Sequence, residues 1–349
     1  MNRAAPWYAL ASAALFGLST PFAKTLIGPI DPWFLAGLLY LGSGLGLGAV
    51  RVAYVRGSSR AETPLGRADA PWLIGAIAFG GVAGPVLLMA GLLRTDGATA
   101  SLLLTLESVA TALIAWLVYR ENVGRRIALG MGLIVAGAAI LSWPDDASLG
   151  DAIGPLCVLG ACLAWGIDNN LTRRVSLADP VQIALLKGLV AGPINLVLAI
   201  VAGAHLPAID VVPAALVVGF LGYGVSLTLF VLALRHLGTA RTGAYYATAP
   251  FLGAAAAIPV LGETITVPLI AAGAVMALGV WLHLTERHEH EHEHGRLTHG
   301  HRHRHDSHHA HAHDKGDPAG EPHAHVHVHG PMRHSHPHVP DSHHRHRHR

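Results

Sequence analysis

Ten long apolar runs occupy the first 285 residues of the chain: 7–25, 33–53, 71–93, 98–119, 126–143, 152–172, 181–203, 212–235, 242–261 and 265–284. About 20 apolar residues in helical form cross a bilayer. In hydrocarbon a backbone can satisfy its own N–H and C=O groups only as a helix or a closed barrel. The runs therefore predict ten transmembrane helices, joined by short connections such as "GPIDP", "WPDDASLGD", "LADP" and "AHLPAIDVVP". Charge agrees, since 13% of residues are charged even with a polar tail counted, against roughly 25% in a soluble domain. The first run resembles a signal peptide but continues too far, and nine more follow, so it is read as the first helix. Cys157 and Cys162 both fall inside an apolar run. That argues against a disulfide framework and for small packing residues.

Arginine placement sets a direction. With the N-terminus in the cytoplasm, the inside segments hold Arg3, Arg51, Arg56, Arg60, Arg67, Arg120, Arg125, Arg126, Arg173, Arg174, Arg235 and Arg241, while the outside segments hold Lys24 and Arg94. Twelve basic residues against two place both termini in the cytoplasm of a multi-pass protein of the inner or plasma membrane.

The apolar region repeats itself. "ALFGLSTPFAK" (14–24) matches "LAWGIDNNLTR" (163–173), with Phe16 on Trp165, Gly17 on Gly166 and Lys24 on Arg173. "LLRTDGATASLLL" (92–104) matches "ALRHLGTARTGAY" (233–245), and "LVYREN" (117–122) matches "VLGETI" (260–265), bringing Glu121 beside Glu263. Each half holds five spans, an odd number, so the second lies upside down relative to the first. Inverted repeats are a recurrent design of secondary transporters, with the cargo site near the midplane between the halves. The predicted units are 1–146, 147–285 and a tail, 286–349.

These motifs carry a resemblance. The chain resembles the EamA family of the drug/metabolite transporter superfamily over about residues 7–284. Each half ends in a helix, a "GE"-like turn and a Gly-rich helix, here "AAAAIPVLGETITVPLIAAGAVMALGVWL" and "ATALIAWLVYRENVGRRIALGMGLIVAGAAIL". The first half departs from the pattern, with "YREN" for the Gly-Glu and "TLESVAT" where the family often has a proline; "ATAPFLGA" keeps that proline as Pro250. The resemblance implies ten helices in two five-helix repeats and a secondary transporter, usually an exporter of small metabolites.

Charges inside the spans are the candidates for the work of transport. Glu107, in "LLTLESVATALIAW", stands near the middle of its span. An intramembrane charge is expensive and faces protein or a wet cavity. It can carry a coupling proton, hold a cationic cargo, or do both in turn; the bland reading is a structural acid bonded to a neighbouring helix. "WGIDNNLTRR" sets Asp168, Asn169 and Asn170 on consecutive positions, which fan over about 200° of a helix. Lys187, in "IALLKGLVAG", lies at similar depth across a turn near residue 177, so a pair with Asp168 is within reach. Such a pair has an equally good reading as a fixture of the helix hairpin. Asn195 is read as a bridge between helices. Glu121 and Glu263 sit at helix ends, where free N–H groups attract carboxylates. No Gly-rich run precedes a Lys-Ser/Thr pair as a phosphate loop would, and no Ser/His/Asp set has catalytic spacing, so an enzyme is not expected.

The tail has another chemistry. It holds 23 of the 26 histidines, in runs such as "RHEHEHEHGRLTHGHRHRHDSHHAHAH" and "HAHVHVHG". It has too little apolar surface to offset its conformational entropy, so it is expected to be disordered without a ligand. Imidazole suits Zn, Ni, Cu and Fe, H-x-H puts two imidazoles on one side of an extended chain, and the tail is expected to bind a divalent transition metal such as Zn, Ni, Co or Cu. His288, His290, His292, His294, His301, His303, His305, His311, His313, His325, His327 and His329 are the expected ligands of divalent metal. No other cofactor is required. The other readings are a plain solvated tail and one that charges below about pH 6.5.

Three functions remain open at this stage: a proton-coupled exporter of small molecules with a metal-binding tail, a divalent-metal exporter whose tail gathers its cargo, and a membrane-anchored metal buffer or scaffold. The repeat and the intramembrane carboxylates count against the third. The expected partners are a small-molecule or metal-ion cargo and the lipid bilayer. A formal net charge of +2 gives no case for specific nucleic acid, and a homodimer is an option the sequence leaves open.

Overall fold

The structure is a computed structural model that describes residues 5–55, 63–118, 124–141, 152–237 and 239–285, with the backbone of four short segments of the tail. Up to residue 285 the described residues form ten helical rods. In the first half these are α1 (Ala5–Leu26), α2 (Pro32–Val55), α3 (Ala70–Ala76, a π-helical Ile77–Ala83, then Gly84–Leu92), α4 (Gly97–Leu103 and Leu106–Leu117) and α5 (Arg125–Leu141). The second half has α6 (Ile153–Val175), α7 (Pro180–Val201), α8 (Val212–Gly219, a π-helical Phe220–Val225, then Ser226–Leu237), α9 (Thr239–Tyr246 and Ala249–Leu261) and α10 (Val267–Leu284).

Local chemistry sets the ends. Asp179 accepts from the amides of Val181 (2.9 Å) and Gln182 (3.2 Å) and starts α7, with Pro180 next, where a missing N–H costs nothing. Gly262, at φ 68°, takes the left-handed turn that ends α9. By length and composition α2, α3, α4, α7, α8, α9 and α10 are each fit to cross a membrane. Of the other three, α6 carries Asp168, Arg173 and Arg174, α5 has 17 residues, and α1 is diluted by Ser, Thr and Lys. Trp7, Ile74, Leu117, Val201 and Val267 are strongly exposed, an apolar outer surface suited to lipid.

The internal repeat is visible in three dimensions. The third helix of each half, α3 and α8, holds a π-helical stretch. The fourth of each half, α4 and α9, is interrupted, at 104–105 and 247–248. The halves also interlock in pairs: α2 packs on α7 and α5 on α10, while α1 packs on α9 as α6 packs on α4. Small residues allow the closest of these approaches. A Cβ on Gly188 of α7 would overlap the backbone of Gly44 on α2.

In the tail, β1 (Glu289–His294) pairs antiparallel with β4 (Met332–Pro337), and β2 (Leu297–His303) with β3 (His323–His329). Each is a two-stranded ribbon, and the strands pair with one another rather than packing broadly on the helices. Isolated two-stranded ribbons are marginal in water, which is in keeping with a tail that has no core of its own.

Gly188→Ala is expected to lower the thermal midpoint of the purified protein in detergent, because overpacking a closed contact costs roughly 1–3 kcal/mol. Gly48→Ala, whose Cβ would meet only Leu185 Cδ1 at 3.9 Å, is expected to leave it unchanged. Equal midpoints for the two variants would show that the α2–α7 approach is not tight.

Candidate functional site

The polar run of α6 divides its side chains between two neighbours, α7 and α4, because consecutive helical residues step by about 100°. Asp168 turns to α7, where Lys187 Nζ donates to Oδ1 and Oδ2 at 2.6 Å each. Thr172, one turn on, donates to Asp168 Oδ1 at 2.8 Å. Both charges are buried, with Lys187 1% exposed. Asn169 turns to α4 and donates to Glu107 Oε1 at 2.7 Å and to Thr111 Oγ1 at 3.3 Å. Asn170 bonds backbone instead, donating to Thr111 O of α4 at 3.1 Å and to Gly166 O of its own helix at 2.9 Å. The structure thus brings Glu107, Asp168, Asn169 and Lys187 together and gives Asn170 to the α4–α6 contact.

The π turn of α3 supplies the other support. Such a turn releases carbonyls from the regular ladder. Here Gly80 O accepts from Tyr40 Oη at 2.6 Å and from Trp165 Nε1 at 3.0 Å, and Gly81 O accepts from Asn195 Nδ2 at 2.8 Å. Asn195 bridges helices as its sequence context implied. Gly80 must be glycine, because a Cβ there would collide with the Asp168 carboxylate.

Glu107, Asp168, Asn169 and Lys187 border a cavity of about 50 Å³ whose other walls are largely aromatic, room for a few waters. Phe16 meets Trp165 edge-on at 5.6 Å, Tyr223 at 5.9 Å and Tyr246 at 5.5 Å; Tyr223 meets Tyr40 at 5.3 Å, and Tyr246 meets Phe230 at 4.8 Å. These rings come from α1, α2, α6, α8 and α9, so both halves build the wall. Glu107 is the second residue of the half-helix Leu106–Leu117, directly after the interruption of α4. Pro250 is the second residue of the matching half-helix Ala249–Leu261 in α9. Among the described residues, no hydrogen bond reaches Glu107 Oε2. The cavity therefore presents one carboxylate oxygen that can bind a proton or a cation, with the Asp168 carboxylate already paired.

Sequence reasoning missed the aromatic wall. Its one signal was the match of Phe16 to Trp165 in the repeat, residues that here touch each other. Glu263 is at a helix start as expected, but that of another rod: its oxygens accept from Gly97 N at 2.6 Å and Ala98 N at 2.8 Å, at the beginning of α4. Lys24 lies 4.0 Å from Glu263 and donates to Thr95 O. At the opposite end of the bundle Arg51 binds Asp179 at 2.7 Å and Arg235 donates to Ala178 O at 2.7 Å. Glu121 lies outside the described residues.

Among the described residues no group of three or more His, Cys, Asp or Glu side chains is placed to hold a metal. Of the tail ligands, His290, His292 and His294 are on β1, His301 and His303 on β2, and His325, His327 and His329 on β3. His288, His305, His311 and His313 lie outside the described residues. The ladder register sets His299 opposite His327, His301 opposite His325 and His303 opposite His323, and on the outer ribbon His290 opposite His336 and His292 opposite His334.

Comparison with known proteins adds the family. Residues 3–143 and 152–285 each match the EamA-like transporter family. The chain belongs to that family. A protein of Methanothermobacter thermautotrophicus named "Uncharacterized transporter" is 26% identical over 288 residues, covering 78% of this chain and 84% of that one. A crystal structure at 17% identity covers 81% of this chain and 96% of its own, with a TM-score of 0.61, and so shares the fold. The EamA-like chain is a multi-pass membrane transporter of two repeats, working in a lipid bilayer on a small-molecule cargo.

Replacing one partner of the Asp168–Lys187 pair leaves the other charge buried. Asp168→Asn and Lys187→Met are each expected to cost about 3–5 kcal/mol. The double variant is expected to recover part of that loss, read as thermal midpoints in detergent. Strictly additive losses would mean that the two side chains do not support each other.

Proposed function

We propose that this chain is a proton-coupled secondary exporter of small molecules, with Glu107 as the group that binds proton and cargo in alternation. The observation that carries the reading is the position of Glu107. It follows the interruption of α4, faces a cavity walled by both repeats, and has an oxygen to which the described residues offer no bond. Asp168 and Lys187 brace that cavity and hold α6 to α7. A cavity of about 50 Å³ holds a few waters, so a metabolite enters only when the halves move apart. Interrupted helices around a site between inverted repeats are suited to that motion.

The arginine distribution supports an orientation in the inner or plasma membrane with both termini in the cytoplasm. In that orientation the tail hangs at the cytoplasmic mouth and binds divalent ions such as Zn, Ni, Co or Cu. A second reading, in which such an ion is itself the cargo, is favoured by the His-against-His register of the tail. The cavity favours the first, because Asp168 is engaged by Lys187 and Glu107 by Asn169, leaving too few oxygens for an ion that takes four to six ligands.

The test is transport by purified protein in proteoliposomes under an imposed pH gradient, with amines, amino acids and divalent metal ions offered in parallel. Wild-type protein is expected to move one of the organic classes with accompanying proton flux. Glu107→Gln, which keeps size and hydrogen bonding but cannot release a proton, is expected to abolish coupled flux while inserting normally. Unchanged pH-dependent transport by Glu107→Gln would remove the coupling role, and flux of metal alone would establish the second reading. Reporter fusions at residues 60, 146 and 290 are expected to read inside, outside and inside. A chain ending at Glu286 is expected to insert and keep transport in metal-free buffer.

A further inference from the structure

We infer that the cargo is a small organic monocation, whose N-methylated ammonium head is held among the rings of the cavity with the Glu107 carboxylate as its counter-charge. The inference rests on the reading of this cavity as the cargo site and names the chemical class that fits it. Charge decides the first half of the argument. Apart from tyrosines, the titratable side chains lining the cavity are Glu107, Asp168 and Lys187. Lys187 Nζ lies 2.6 Å from each oxygen of Asp168, so that pair is closed upon itself. What remains is the Glu107 carboxylate, 8% exposed, with Asn169 on Oε1 and no hydrogen bond among the described residues on Oε2. A buried carboxylate with an open oxygen is matched by one positive charge. An anion or a zwitterion would bring a second carboxylate to a lining whose one cation, among the described residues, is already engaged.

The rest of the wall selects the kind of cation. Six aromatic side chains line the cavity: Phe16 and Tyr40 from the first half, and Trp165, Tyr223, Phe230 and Tyr246 from the second. Tyr40 Oη and Trp165 Nε1 are committed elsewhere, both donating to Gly80 O, at 2.6 and 3.0 Å. Ser226 Oγ is likewise taken, donating to Ser12 O at 2.9 Å. Tyr40 and Trp165 therefore offer the cavity their rings rather than hydrogen-bonding groups. A primary ammonium has three N–H donors that each want an acceptor. An N-methylated ammonium has fewer or none, and ring faces attract its positive surface. The cavity of about 50 Å³ limits the cargo to a compact head group. Phe16 meets Trp165, Tyr223 and Tyr246 across the boundary between the halves, at 5.6, 5.9 and 5.5 Å. The rings thus close round a head group as the halves come together.

The test is equilibrium dialysis of radiolabelled choline against the purified full-length protein in detergent. Unlabelled tetramethylammonium is expected to displace it. The uncharged carbon isostere of choline, 3,3-dimethylbutanol, and the zwitterion glycine betaine are not, and this comparison needs no variant to fold. Glu107→Gln is expected to lose the binding. Tyr223→Leu and Tyr246→Leu are each expected to weaken it by at least about tenfold, the scale of one desolvated cation–ring contact. Tyr223→Phe and Tyr246→Phe, which keep the ring, are expected to stay near wild type. Thermal midpoints show that each variant is folded. Several results would overturn the cage: no saturable binding of choline or tetramethylammonium, displacement by the uncharged isostere, wild-type binding by Glu107→Gln or by both Leu variants, or equal losses in the Phe and Leu variants. Flux in proteoliposomes separates this inference from the one it rests on. Choline uptake without accompanying protons would support the cage and remove the coupling. Proton-coupled, Glu107-dependent flux of an amino acid, with no choline binding, would remove the cage and keep the coupling.

Discussion

The Asp168–Lys187 ion pair organises the middle of the bundle. A charge stranded among apolar helices is costly, so these two side chains must stay together, and they fix the rotation of α6 against α7. Everything else follows from the 100° step of a helix. Once Asp168 points to Lys187, Asn169 points to Glu107 and Asn170 to the backbone of Thr111. Thr172 and the bare Cα of Gly80 complete the surroundings of the carboxylate. The pair thus holds the helices in place around the cavity, and among the described residues no hydrogen bond reaches the second carboxylate oxygen of Glu107.

The backbone makes room for this arrangement by leaving regular helix in matched places. The π turns of α3 and α8 and the interruptions of α4 and α9 fall at corresponding points of the two halves. Each costs some ordinary hydrogen bonding. In α3 the carbonyls of Gly80 and Gly81 are taken up by Tyr40, Trp165 and Asn195, side chains from three other rods. The irregular backbone of α3 is therefore held by cross-helix contacts, while that of α8 gives Gly222 and Tyr223 to the cavity wall; both are settings in which non-helical backbone is tolerated at membrane depth.

Much of this was legible in the sequence, for identifiable reasons. Ten apolar runs read as ten rods because length and hydropathy decide a span almost alone. Asp168 and Lys187 read as a pair because both interrupt apolar runs at equal distance from one turn. Glu107 stood out in the same way. The aromatic wall did not, because an aromatic residue in an apolar helix is unremarkable until its neighbours are known. The π turns are properties of backbone packing and leave no mark beyond a few glycines. Glu263 was correctly placed at a helix start, but the α4 amides it binds lie more than 160 residues away.

Among the mismatches between the halves is Glu107 opposite Pro250. Were the two repeats identical, the states open to either side of the membrane would be mirror arrangements of equal free energy. An acid in one half and an imino acid in the other removes that degeneracy. At this position the first half has a carboxyl group and the second has the fixed φ and missing N–H of proline. The molecule is two-fold in its mechanics and one-fold in its chemistry. Any difference in free energy between those two states is then written into the chain itself, independent of gradient or cargo.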